Sequence, residues 1–234
     1  MRSYIKYSVD GRPLEVYEAD LETRQYWNSH IQPYIERADL DARGLLRLGG
    51  TAESQAPIVK RVRADSDWNW VRGRIPQSAL VAKKLNQLPE FLAVGHVAPS
   101  GETFPLGLLL LANRFPWPLE QGLHCTFVWY LSEAIEDAQT AKSIRPFKML
   151  GRTLLDLACC RSVVLGNEGR VLLHAAPAGE ARLLEWYRDR LSMKALEPKI
   201  RPSALRGNDG RYFYFDNSDT ESFLLKQDNL RSKQ

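Results

Sequence analysis

Histidines, cysteines, tyrosines and tryptophans supply most of the chemistry this chain could perform, so their spacing comes first. The four histidines, His30, His96, His124 and His174, fall in separate segments. No His-x-x-x-His or carboxylate spacing accompanies them, so no metal is expected. The three cysteines are Cys125 and the adjacent pair Cys159 and Cys160. An odd count without a Cys-x-x-Cys pattern gives neither a disulfide framework nor a zinc site, and it suits a reducing, cytoplasmic compartment. A basic stretch with one glycine, Lys148-Met149-Leu150-Gly151-Arg152, precedes an apolar helical stripe. Helix-start N–H groups, helped by the helix dipole, suit a nucleotide-type anion; an ordinary helix start is the competing reading. Trp186 and Tyr187, inside a second helical pattern, read on periodicity alone as packing residues.

Composition narrows the classes that could carry such groups. The 234 residues are 44% hydrophobic and 26% charged, with a net charge of +4. Those values exclude a disordered or collagen-like chain. The positive charges alternate with negative ones and never form a block, which weighs against nucleic acid as the partner. No apolar run approaches the roughly 18–20 residues of a membrane span. The first twenty residues alternate in polarity and carry no signal-peptide core.

The elements that must position these groups can be read in order. Tyr4–Val9 and Pro13–Tyr17 flank Asp10-Gly11 and predict a β-hairpin. Glu22–Leu40 predicts a helix with a break at Pro33. Gly44–Pro57 reads as a connector, and Ile58–Arg63 alternates as a strand would. Asp65, Ser66 and Asp67 form a capping segment that leads into a helix through WNWVRGRIPQSALVAKKL. Phe91–Ala98, Leu106–Ala112 and His124–Ile135 predict three strands, the middle one apolar enough to be covered on both faces. A helix follows Met149 and stops at Gly166. Arg170–Ala175 predicts a strand, Glu180–Leu191 a helix and Arg211–Phe215 a last strand before a polar tail. The strand–helix–strand unit implies one parallel pair, and the strands before it imply antiparallel pairing. The class is α/β (α+β), with a mixed, mostly antiparallel sheet flanked by helices.

From Thr126 to Phe215 the chain resembles the GNAT superfamily of N-acetyltransferases. TFVWYLSEAI resembles that family's central strand, LGRTLLDLACCRSVVLG its pyrophosphate loop and following helix, and RVLLHAAP its next strand. EARLLEWYRDRLSM resembles its tyrosine-bearing helix. Trp68-Asn69-Trp70 is similar to a bacterial subset of the family with no assigned substrate. The resemblance runs from about residue 60 to 216. It implies residues 1–57 as an N-terminal hairpin-and-helix extension, residues 58–216 as an acyltransferase domain, and residues 217–234 as a polar tail.

The resemblance also implies roles. Acetyl-CoA, or another acyl-CoA, is the expected cosubstrate, an amine the acceptor, and no metal takes part. Its diphosphate is expected on Lys148, Met149, Leu150, Gly151, Arg152 and Thr153. Here the chain departs from the family, because Met149 stands where the loop has a glycine and Pro146 where it has a basic residue. Leu131 and Ser132 are expected to meet the pantetheine arm and the developing oxyanion. Tyr187 is the expected acid for the departing thiolate, since a phenol with pKa near 10 stays protonated at neutral pH. Glu133, at the end of the central strand, is the expected base. Trp68, Trp70 and Trp117 are expected to wall an apolar acceptor pocket. Two functions follow, direct acyl transfer to an amine and a catalytically lapsed binding or regulatory module. A third, a basic nucleic-acid-associated protein using residues 1–57 as an accessory element, comes from the net charge alone, and the scatter of that charge argues against it. A homodimer stays open.

Overall fold

A computed structural model describes residues 6–9, 11–49, 51–59, 62–203 and 207–231. Its centre is an eight-stranded sheet in the order β1-β2-β3-β4-β5-β6-β8-β7. The strands are β1 (Tyr7–Val9), β2 (Arg12–Glu18), β3 (Pro89–Val97), β4 (Thr103–Pro116), β5 (His124–Glu133), β6 (Val171–His174), β7 (Lys194–Ala195) and β8 (Tyr212–Phe215). Every neighbouring pair is antiparallel except β5 and β6, which are parallel. The mixed, mostly antiparallel sheet expected from the strand pattern is therefore observed. Tyr4, Ile5 and Asp10 of the predicted hairpin lie outside the described residues; β1 and β2 pair as that hairpin requires, with Val9 opposite Arg12.

The helices are α1 (Leu21–His30), α2 (Gln32–Arg47), α3 (Ala52–Val59), α4 (Arg74–Lys84), α5 (Glu136–Thr140), α6 (Leu150–Val164), α7 (Glu180–Glu185) and α8 (Asn217–Lys226). Asp20 starts α1 by accepting the Thr23 N–H at 2.8 Å. Pro33 sits in the first turn of α2, where a missing N–H costs nothing, so the break falls at Ile31. Among the described residues no helix is long and apolar enough to cross a membrane.

Three local expectations are corrected. Residues 52–59 are helical despite Pro57, so α2 and α3 take most of the predicted connector and α3 takes Ile58 and Val59 of the predicted strand; Gly50, Lys60 and Arg61 of those two stretches lie outside the described residues. The capping segment at residues 65–67 does not start a helix, because α4 begins only at Arg74, after Gly73 in a positive-φ conformation. The polar segment after Phe215 carries α8, held by a capping box between Asp216 and Asp219.

The main core runs from the hairpin to the last helix without interruption, joining Tyr7, Trp27, Leu92, Leu108, Leu154, Phe213 and Phe223. β4 is buried over ten consecutive residues, Phe104–Asn113. A Cβ at Gly107 would come within 2.7 Å of Leu154, so glycine there lets α6 lie close against the strand. Inside α6, the fully buried Asp156 accepts from the Tyr7 hydroxyl at 2.8 Å and from Arg231 at 2.5 Å. That cluster ties both ends of the described chain to the helix whose start faces the site. Burial pushes the Asp156 carboxyl up, against the pull of Tyr7 and Arg231.

Candidate active site

The site follows from one parallel pairing that stops early. β5 and β6 are in register at only three positions, the last being Val128 with Leu173. β6 ends one residue later, at His174, whereas β5 runs on to Glu133. A bulge at Trp129 sharpens the divergence: Leu110 faces Tyr130 and the next residue, Leu111, faces Val128. The strands splay, and a cavity of about 1200 Å³ opens between them. Leu131 and Leu173 line it from the strands, and Ala176, Pro177 and Leu183 from the following segment.

On one side the cavity meets the end of α7. There the helix widens into a π turn over Trp186–Arg190, with the Leu191 N–H bonded to the Trp186 carbonyl at 3.1 Å. Such turns recur at functional positions because they re-aim side chains. This one sets Trp186 and Tyr187 edge to face, with ring centroids 5.0 Å apart, and both line the cavity. Tyr187 is 8% exposed and packs against Phe213. Burial pushes its phenol up, and the charges of Asp65 and Glu133 push it further. The hydroxyl is thus a proton donor held in its protonated form.

A charged network closes the opposite wall. Arg63 donates to both oxygens of Asp65, at 2.8 and 2.7 Å, and to the Glu133 carbonyl at 3.1 Å. Its guanidinium also lies 3.8 Å from Glu133 Oε1. Asp65 accepts from the Ser132 hydroxyl at 2.5 Å. Burial works against the Arg63 cation, but Asp65 outweighs it and the group stays raised. Burial, then the neighbouring Arg63 charge, lowers Arg182, which donates to the Val62 carbonyl at 2.7 Å.

The start of α6 reaches the cavity at Gly151. Met149, the residue before the helix, takes a left-handed conformation (φ 63°, ψ 16°) and makes no side-chain cap. Instead Glu133 Oε2 accepts the Gly151 N–H at 2.7 Å. A Cβ at Gly151 would stand 3.3 Å from that oxygen and 3.4 Å from the Trp186 ring. Glycine at 151 therefore lets a carboxylate and an indole close over the helix start.

The expected residues divide accordingly. Tyr187, Glu133, Leu131, Gly151 and Trp68 share the cavity wall. Trp68 meets Tyr130 edge to face at 4.9 Å, whereas Trp70 is fully buried behind them. Ser132 is buried on Asp65, and Leu150 and Thr153 turn into the core. Arg152 bonds the Arg190 carbonyl at 3.0 Å, and neither it nor Lys148 nor Met149 lines the cavity. Trp117 packs on Tyr214 in a second core cluster with Phe115 and Cys125, away from the splay. His174, at the end of β6, pairs with Asp209 at 3.0 Å. Sequence reasoning missed Arg63, Asp65, Trp129, Arg182 and Trp186. A single charge at the end of a strand pattern (Arg63), in a capping segment (Asp65) or on a helix (Arg182) reads as solvated surface and gives no signal; only Trp186, beside the singled-out tyrosine, offered one.

No protein-family model matches the chain, and no curated protein matches it. Solved structures do. One is an acetyltransferase of the GNAT family from Listeria monocytogenes, at 10% identity and a TM-score of 0.45, covering 89% of this chain and 96% of that one. Another is spermidine N-acetyltransferase from Vibrio cholerae in complex with CoA and spermine, at 12% identity and a TM-score of 0.43, covering 89% and 98%. A third is Mycobacterium smegmatis RimJ in complex with CoA-disulfide, at 10% identity and a TM-score of 0.40, covering 96% and 93%.

Proposed function

We propose that this protein is a GNAT-type N-acyltransferase that moves an acyl group from a thioester donor, acetyl-CoA or another acyl-CoA, to an amine. The observation that carries the reading is the splay of β5 from β6, with the Tyr187 phenol on its wall. An extended acyl-pantetheine arm suits a slot between two strand ends that have ceased to pair. The apolar side chains of Leu131, Leu173 and Leu183 match its methylenes. The cavity-lining residues all fall within the segment 58–216, and residues 1–57 add β1 and β2 to the sheet.

Transfer then needs little covalent machinery. The neutral amine nitrogen attacks the thioester carbonyl carbon, the carbon–sulfur bond breaks, and the amide forms. Tyr187 supplies the proton that the leaving thiolate takes up. Glu133, through the oxygen not bonded to Gly151, accepts the proton the amine sheds, directly or through water. The backbone of β5 near Leu131 faces the developing oxyanion. Trp68 and Tyr130 wall the acceptor side, which suits a small amine or one carried on a protein or RNA. The three buried thiols take no part, and burial holds Cys160 pushed up to about 12. Unreactive thiols of this kind suit a reducing cytosol.

The Glu133–Gly151 bond favours a second reading, a module of the same fold that binds a thioester without transferring it. Thermal-shift titration with acetyl-CoA and with free CoA, followed by release of free thiol in the presence of mixed amines, separates the two. A shift with thiol release is expected. A shift without release supports the binding module. No shift at millimolar ligand removes both readings.

A further inference from the structure

The start of α6 already carries an anion, the carboxylate of Glu133, with the Trp186 ring beside it. Glu133 Oε2 holds the Gly151 N–H at 2.7 Å, so a carboxylate already stands where an incoming anion would accept that bond. The Trp186 ring stands next to this glycine, in ordinary contact range (3.4 Å) of where a Cβ would be. Met149 occupies the capping position in a left-handed conformation and supplies no side-chain cap, so the carboxylate is the cap. Two anions cannot share one donor, and Glu133 is further held by Arg63, 3.8 Å from its other oxygen. The splay between β5 and β6, by contrast, opens a slot in which Leu131, Leu173 and Leu183 give an apolar stretch beside the charged wall.

We propose that the donor is recognised by its acyl-pantetheine arm and not by its nucleotide diphosphate, so that the substrate class is acyl-pantetheine thioesters at large, with acyl-CoA one member. The proposal rests on the acyl-donor reading above and narrows it. Glu133 acts here as a built-in anion: it caps α6, holds the helix start against β5, and removes the handle by which a nucleotide would be preferred. A pantetheine thioester on a carrier, or free in solution, then reaches Tyr187 by the same slot.

The test compares acetyl-CoA with acetyl-pantetheine by titration calorimetry and by turnover, using the full chain. Wild-type protein is expected to bind the two within about threefold of each other. Acetyl-CoA binding tenfold or more tighter overturns the proposal and leaves the acyltransferase reading standing. Binding of neither donor overturns that reading itself. The variant Glu133→Gln keeps a carbonyl oxygen for the Gly151 N–H but removes the competing charge. By calorimetry it is expected to tighten acetyl-CoA binding by about tenfold while leaving acetyl-pantetheine affinity unchanged, a factor in the range of a charge at a helix end; turnover falls with both donors, because Glu133 is the proposed base. An equal change in affinity for both donors, or none for either, overturns the capping role given to Glu133. Glu133→Ala, checked for native circular dichroism, repeats the comparison with the capping oxygen gone.

Discussion

Two helices of this protein begin in different ways. α8 is capped by its own sequence: the Asp216 side chain accepts the Asp219 N–H at 3.0 Å, and the Asp219 side chain accepts the Asp216 N–H at 3.1 Å. Lys194 bridges both carboxylates, at 2.8 and 2.9 Å. α6 has no such local device; its N–H at Gly151 is met by Glu133 of β5. A local cap serves only its helix. A cap sent from another element also fixes where that element ends, and here it does so on the wall of the cavity. The contrast separates a helix start that stabilises from one that also shapes a site.

The largest expected effect strikes the support behind the remote cap. Asp65→Ala leaves the guanidinium of Arg63 and the hydroxyl of Ser132 without their buried acceptor. Breaking a buried pair by removing one partner costs about 3–5 kcal/mol. Urea denaturation should show a loss of that order, and a loss below about 1 kcal/mol would mean that Arg63 finds Glu133 as a full substitute. The next effect tests whether the cavity does chemistry. Tyr187→Phe should lower turnover by about 10–1000-fold with the fold intact, the range for losing general acid help. No substitution at the start of α8 should touch turnover. Equal rates for Tyr187→Phe and wild type would remove the phenol from the mechanism.

The local cap is expected to show a smaller and purely structural effect. Asp216→Ala should cost about 1 kcal/mol at neutral pH, a typical loss for an N-cap. Burial pushes the Asp216 carboxyl up, but the Lys194 ammonium and the Asp219 N–H outweigh burial and hold it well below the usual carboxylate range. A carboxylate depressed in the folded state stabilises fully above its unfolded pKa of about 3.9 and loses that contribution as pH falls towards the folded value. The difference between wild type and Asp216→Ala should therefore shrink below about pH 4. A gap that stays constant down to pH 2 would assign the effect to side-chain packing instead.

How much of this was legible depended on whether a signal lay within one element. Leu106–Ala112 announced a strand buried on both faces by its unbroken apolar run, and the stripe from Leu150 to Val164 announced α6 by its helical period. α8 was illegible for the opposite reason: NSDTESFLLK is polar on most faces, and only Thr220 and Phe223 are buried. In α3, Pro57 argued for a break that the helix tolerates. The site split along the same line. Tyr187 and Gly151 came from motifs with order and spacing. Arg63 and Asp65 meet Glu133 and Ser132 across nearly seventy residues, as in the Arg63 bond to the Glu133 carbonyl, and no local pattern encodes that. Trp70 and Trp117 show the reverse error, since a tryptophan's type says that it will bury surface but not against what.

The smallest expected effect returns to the helix that starts without a local cap. Met149 holds a left-handed conformation that costs a non-glycine residue about 1–2 kcal/mol. It is 44% exposed, so its side chain contributes little packing in return. Met149→Gly removes the steric cost but gives the unfolded chain more freedom, which offsets about 0.4–1 kcal/mol of the gain. The net should be a stabilisation of no more than about 1 kcal/mol, read as a small rise in the urea midpoint with an unchanged slope. Because Glu133 and Trp186 would still cover Gly151, restoring this glycine alone should leave the ratio of acetyl-CoA to acetyl-pantetheine affinity where it was. A large gain in acetyl-CoA affinity from Met149→Gly would place the obstruction in the methionine, and the start of α6 would then be a cradle blocked by one side chain and not one filled by the carboxylate of β5.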